Sequence, residues 1–118
     1  MKKKAFDAKR CKKLEAELDR ITSVLRHAYD PEKIIVFGSF AQGATSKWSD
    51  LDIAIVKETS MRFIDRLKYV ANLIDSDVAA DFVVYTPREF QQMARENYFV
   101  QEEILQKGTV VYDKNSPL

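Results

Sequence analysis

The sequence predicts an α/β domain, bordering on α+β, with helices packed on one mixed sheet of about four strands. Three observations carry that expectation. Four short β-rich runs stand well apart: KIIVF at 33–37, LDIAIV at 51–56, DFVVY at 81–85 and TVVYD at 109–113. Stretches with apolar residues at helical spacing separate them. Only three glycines and three prolines occur in 118 residues, too few for a loop-rich chain.

From about Asp7 to Tyr29, the residues Leu14, Leu18, Ile21, Leu25 and Ala28 recur at helical intervals, predicting a long amphipathic first helix. Asp30-Pro31 should end it, because proline disfavours a helical conformation in the residue before it. Lys33 to Phe37 follows as the first strand and Leu51 to Val56 as the second. Phe63, Ile64, Leu67, Val70, Ala71 and Ile74 form the next helical stripe, ahead of a third strand at Asp81 to Tyr85. Thr86-Pro87 reads as a helix start, threonine capping and proline at the first helical position. That helix should run from Arg88 to about Glu96. A last helical stretch near Phe99 to Lys107 should stop at Gly108, expected as a left-handed cap, before the fourth strand at Thr109 to Asp113. Residues 1–118 then form one domain: an N-terminal helix over 1–29 and a core over 33–113.

Composition narrows the function classes. Nineteen Lys and Arg against 18 Asp and Glu give a net charge of +1, with no global pull toward nucleic acid or a membrane surface. Composition thus argues against a nucleic-acid partner, while leaving a local contact with RNA or tRNA open. The single cysteine, Cys11, rules out an internal disulfide and fits a reducing cytosol. No apolar run approaches a membrane span, and MKKKAFDAKRCKK lacks the apolar core of a signal peptide. We therefore expect a cytoplasmic protein with no membrane partner.

The second strand opens on Asp50 and Asp52, which as alternate strand residues point to one side with Cα atoms about 6.5 to 7 Å apart. Leu51, Ile53 and Ile55 take the opposite face and can pack under helices. Asp81 opens the next strand in the same way. A helix joining these two strands makes a crossover, so they should be parallel, with Asp81 beside the pair. If the first strand runs antiparallel to the second, Gly38-Ser39 arrives at the same end. Oxygen-only ligands of this kind suit a hard cation, Mg²⁺ or Mn²⁺, or two such ions roughly 3.5 to 4 Å apart. Gly38 allows close backbone approach, Ser39 offers a hydroxyl and an N–H, and a short helix from Phe40-Ala41-Gln42 would present free amides to a phosphate.

Gly38-Ser39, ten intervening residues and Asp50-Leu51-Asp52, with Asp81 on a later strand, closely resemble the DNA polymerase β-type nucleotidyltransferase superfamily. Gly43 in the loop and Ser49 before the first aspartate also match. The short length points to the minimal nucleotidyltransferases, related to the catalytic half of kanamycin nucleotidyltransferase. The resemblance runs from about Lys33 to Asp113 and includes Thr86-Pro87-Arg88-Glu89-Phe90. It implies that Asp50, Asp52 and Asp81 are the catalytic, metal-binding residues. It further implies that Gly38 and Ser39 hold the triphosphate of ATP or another nucleoside triphosphate, on two Mg²⁺ or Mn²⁺ ions. A hydroxyl would attack the α-phosphorus, Asp81 helping to activate it, with pyrophosphate leaving. It also implies a small helical HEPN-type partner, with this chain as antitoxin of the pair.

One departure stands out. Many relatives carry Arg or Lys just after Gly-Ser, where this chain has Phe40, Ala41 and Gln42; Lys47 is the candidate to supply that charge. The expected function is transfer of NMP, AMP from ATP, to a hydroxyl acceptor. Two alternatives are a contact antitoxin with little catalysis and an ATP-binding sensor.

Other residues have plainer readings. Ser49 is expected either to orient the loop or to touch the nucleotide. Trp48 reads as a partly packed ring and Cys11 as a small buried hydrophobe. His27 sits where a helix dipole favours it, and Lys2-Lys3-Lys4 reads as a solvated tail. Tyr98, Phe99 and Tyr112 read as core or interface rings. Amphipathic helices with exposed aromatics also leave room for a homo-oligomer.

Overall fold

Alternating helices and strands build one four-stranded sheet in the computed structural model, which describes residues 5–116. The Lys2-Lys3-Lys4 reading falls outside them. Helix α1 (Ala8–Ala28) starts where the Asp7 side chain accepts from the Arg10 N–H, and Tyr29 caps its end. Asp30 then takes a left-handed φ of 50° instead of continuing the helix. The strands are β1 (Lys33–Phe37), β2 (Leu51–Val56), β3 (Ala80–Tyr85) and β4 (Thr109–Asp113). Between them lie the short helix α2 (Gly38–Ala41), α3 (Phe63–Ile74), α4 (Pro87–Glu96) and a π-helix, α5 (Val100–Gln106).

The sheet order is β3-β2-β1-β4. β2 and β3 pair in parallel across the α3 crossover, while β1 runs antiparallel to both β2 and β4. The mixed sheet expected from the sequence is therefore present, β3 beginning one residue early.

Strand alternation sorts the side chains onto two faces. Ile34, Val36, Leu51, Ile53, Ile55 and Val84 bury against Leu14, Ile21 and Leu25 of α1 and Val70 and Ile74 of α3. Ile35, Ala54 and Val56 take the other face, under Phe90 of α4 and Val100 and Ile104 of α5. By strand alternation Asp52 shares this second face with Ala54 and Val56, and Phe37, its partner on β1, packs against the same cover. Thr86 and Glu89 close the expected capping box around Pro87.

Gly108 departs from expectation. Its φ is not positive, and α5 ends on Lys107 in a right-handed conformation. Glycine is needed there for close packing: a Cβ would run into the Ile104 carbonyl oxygen and lie 3.0 Å from Ile35 Cγ2. Cys11 is half-buried rather than buried, its Sγ 3.7 Å from Glu15 Oε1.

Candidate active site

Asp52 pairs with Asp81 across the parallel β2–β3 ladder and with Phe37 across the antiparallel β1–β2 ladder. Asp50, two residues before Asp52, points the same way. Each of the three aspartates offers a carboxylate oxygen, and these oxygens all lie within 4.8 Å of one another. Asp50 and Asp52 are half-buried, and Asp81 is exposed at the sheet edge.

Among the described residues, none of the ion pairs involves these carboxylates, and no side-chain hydrogen bond reaches them. Burial first, then the charges of Asp50 and Asp81, push the Asp52 carboxyl up to about 6. Three convergent, uncompensated carboxylates are the donor set that a hard divalent cation takes. A cation would relieve the repulsion that raises Asp52.

The phosphate side is built at the end of β1. Gly38 adopts a φ of 83°, open to glycine and strained for other residues, and its Cα faces the Asp52 carboxylate. Phe37 supplies no side-chain cap to α2, so the first amides of that helix take no partner from it. Ser39 Oγ and Ser49 Oγ lie 2.9 Å apart, and Ser49 Oγ also accepts from the Ser46 N–H at 2.9 Å. Gly43 takes the second positive φ, 72°, which turns the loop back. Ser39, Ser46, Trp48, Ser49 and Asp50 line one open pocket of about 240 Å³.

Gly38, Ser39, Ser49, Asp50, Asp52 and Asp81 come together. Ser49 is 6% exposed and spends its hydroxyl on Ser39 and Ser46, which makes it an orienting residue. Lys47 does not reach the pocket. Its ammonium stands 4.7 Å from the Trp48 ring centroid, on a neighbouring surface with Lys9, Arg10 and Lys13. Trp48 is 70% exposed, so it is not the partly packed ring expected. Tyr98 and Phe99 are 75% and 50% exposed and lie outside the core, whereas Tyr112 packs against it under Arg26.

Two supports were missed. The Arg10 guanidinium donates twice to the Ser49 carbonyl, at 3.0 and 2.8 Å, fixing the backbone just before Asp50. Buried Glu17 accepts from Arg20, from Ser76 Oγ and from the Asp77 N–H, tying α1 to the turn that leads into β3 and Asp81. The i, i+3 spacing of Glu17 and Arg20 is visible in the sequence; their partners about 55 to 60 residues away are not.

A glycine-serine turn facing three carboxylates gathered at the starts of two parallel strands is the layout of a nucleotidyltransferase. The chain belongs to that class through the family described as "Polymerase beta, Nucleotidyltransferase", which residues 19–117 match. It is 31% identical over 91 residues to a Haemophilus influenzae protein designated "Probable protein adenylyltransferase MntA", covering 74% of this chain and 80% of that protein. A crystal structure from Sulfolobus solfataricus that carries a nucleotidyltransferase designation superposes with a TM-score of 0.63. It is 18% identical and covers 92% of this chain and 87% of the other, a likeness of fold. A mutant MntA–HpeT toxin–antitoxin structure aligns at a TM-score of 0.47 with 24% identity, covering 81% of this chain and 72% of that one. Among the described residues no helix is long and apolar enough to cross a membrane.

Proposed function

We propose that this nucleotidyltransferase moves AMP from ATP to a hydroxyl on a protein acceptor, a small helical HEPN-type partner for which it serves as antitoxin. The observation that carries the reading is the convergence of Asp50, Asp52 and Asp81 within 4.8 Å, beside the Gly38-Ser39 turn. The choice of adenylate and of a protein acceptor draws on the designation of the Haemophilus influenzae relative.

Asp50, Asp52 and Asp81 would hold Mg²⁺ or Mn²⁺, in a pair of ions. Bound there, the cations neutralise phosphate charge and make the acceptor hydroxyl easier to deprotonate. The amides of Ser39 and Phe40 and the Ser39 hydroxyl hold the outer phosphates. Asp81, exposed at the edge, is the carboxylate an incoming acceptor meets, and its oxygen receives the hydroxyl proton. The acceptor oxygen forms its bond to the α-phosphorus as the bond from α-phosphorus to the bridging oxygen breaks, and pyrophosphate departs in line.

The test uses the purified chain, Mg²⁺, ATP labelled at either the α- or the γ-phosphate, and the product of the adjacent gene. Label from the α-position should appear on the acceptor, γ-label should leave as pyrophosphate, and Asp50→Asn should abolish both. Transfer of γ-label, or α-transfer undiminished in Asp50→Asn, defeats the reading.

A second reading, a contact antitoxin with little turnover, draws on one observation. The pocket that holds Ser39 and Asp50 has no Lys or Arg among its lining residues. Full neutralisation of the partner by Asp50→Asn/Asp52→Asn in cells would favour it over transfer.

A further inference from the structure

We propose that Phe99, braced by Phe37, is the platform on which the nucleobase of the bound nucleotide stacks. The inference rests on the nucleotidyl-transfer reading above and assigns its base subsite. In an in-line displacement the acceptor, the α-phosphorus and the pyrophosphate share one axis, so the nucleoside must leave that axis sideways. Asp81 on edge strand β3 marks the acceptor end and Gly38-Ser39 after β1 marks the pyrophosphate end. One sideways direction runs over the carboxylate face of the sheet, where Phe37 stands directly opposite Asp52.

Phe99 meets Phe37 edge-to-face, with centroids 5.9 Å apart and planes at 84°. A base lies one sugar away from its α-phosphorus, and Phe99 lies one ring away from the β1–β2 pair that carries Asp52. The ring is braced yet open: it packs against Phe37, while the residue remains 50% exposed. Such a braced, half-exposed aromatic surface suits stacking on a flat base.

The local backbone is built to hold that pose. Asn97 Oδ1 accepts from the Val100 N–H at 3.0 Å, and the Gln101 amide donates to the Ala94 carbonyl at 3.1 Å, bracketing Phe99 on both sides. Phe99 stands immediately before α5, a π-helix, a geometry that occurs mostly as an irregularity near functional sites. Stacking reads no base edge, so the subsite would favour the larger purine surface without choosing strictly between adenine and guanine.

Calorimetry with two probes, Mg²⁺-ATP and Mg²⁺-tripolyphosphate, tests the assignment. Phe99→Ala should weaken ATP binding about ten-fold or more, as loss of one base–aromatic stack does, and leave tripolyphosphate binding unchanged. Phe99→Trp should retain ATP affinity. The adenine H2 and H8 resonances should move upfield on binding to the unaltered protein, and Phe99→Leu should abolish that shift. Unchanged ATP affinity in Phe99→Ala, or equal weakening of both probes, overturns the inference while leaving the transferase reading intact. Loss of protein-partner binding with ATP affinity retained would make the ring a protein contact instead. Failure of the unaltered protein to bind either probe would remove the nucleotide reading and this inference with it.

Discussion

Gly38 and Asp52 are packed so closely that a side chain on one would occupy the place of the other. A Cβ added at Gly38 would overlap Asp52 Oδ2 and lie 3.2 Å from its Cγ, and the φ of 83° already disfavours any residue but glycine. Gly38→Ala should therefore act twice. It should displace the Asp52 carboxylate, lowering metal affinity and transferase activity at least ten-fold, and destabilise the fold by about 1–3 kcal/mol through backbone strain. Urea unfolding reads the second effect and metal-dependent label transfer the first; wild-type metal affinity in this variant would contradict the first.

Asp52 gives a pH dependence whose direction is fixed by its environment. Burial and then Asp50 and Asp81 raise its carboxyl from 3.8 to about 6, so the folded chain holds that proton more tightly than the unfolded chain. With divalent cations chelated, the destabilisation from ionised Asp52 is fully present above pH 6 and relieved as pH falls from 6 toward 4. Asp52→Asn should raise stability at pH 7.5 by about 1–2 kcal/mol in chelator, and the gain should shrink by pH 4.5. Thermal melts across pH 4.5–8, with chelator and then with Mg²⁺, check this. Mg²⁺ should stabilise the unaltered protein and not Asp52→Asn.

These carboxylates were legible in the sequence because a strand repeats every two residues. Alternation alone put Asp50 and Asp52 on one side and Leu51, Ile53 and Ile55 on the other, and the helical crossover made Asp81 a parallel neighbour. The loop 42–50 was harder. Whether Trp48 packs and where Lys47 reaches depend on α1 lying alongside, and nothing near residue 47 encodes that contact. Gly108 was misread because a glycine after a helix fits a left-handed cap, but this one answers first to the Ile104 carbonyl of the preceding turn and then to β1, where Ile35 and Val36 lie far away in sequence. The π-helical winding of residues 100–106 leaves no periodicity distinct from an ordinary helix over so short a run.

Glu17 should dominate the acid limb of stability. Its carboxylate is buried yet accepts from Arg20, Asp77 and Ser76, and the Arg20 hydrogen bond leads in holding it at about 2, below the usual 4.5. A lowered folded value contributes stability that is fully present above pH 4.5 and is lost as pH falls toward 2. Arg20 is 41% exposed, so solvent screens part of that interaction. Glu17→Gln should destabilise by about 1–3 kcal/mol at pH 7, and the gap between variant and wild type should close between pH 4.5 and 2. Urea titrations at pH 7, 4 and 2.5 check the trend; a gap that stays constant would place the effect in packing instead of charge.

Arg10 separates positioning from ligation. It touches none of the three carboxylates, yet its guanidinium grips the Ser49 carbonyl through two hydrogen bonds one residue before Asp50. Removing it frees the backbone that aims Asp50 while leaving every candidate metal ligand in place. Arg10→Met keeps an unbranched aliphatic side chain at a helical position and should lower stability by only about 1 kcal/mol. Metal affinity should fall several-fold, by less than in Asp50→Asn, because the ligand survives with a looser aim. Arg10→Lys, a single donor in place of a planar fork, should recover only part of the loss. Calorimetric Mn²⁺ titration of all three variants orders them. Equal affinity in Arg10→Met and the unaltered protein would show that β2 pairing alone sets the direction of Asp50.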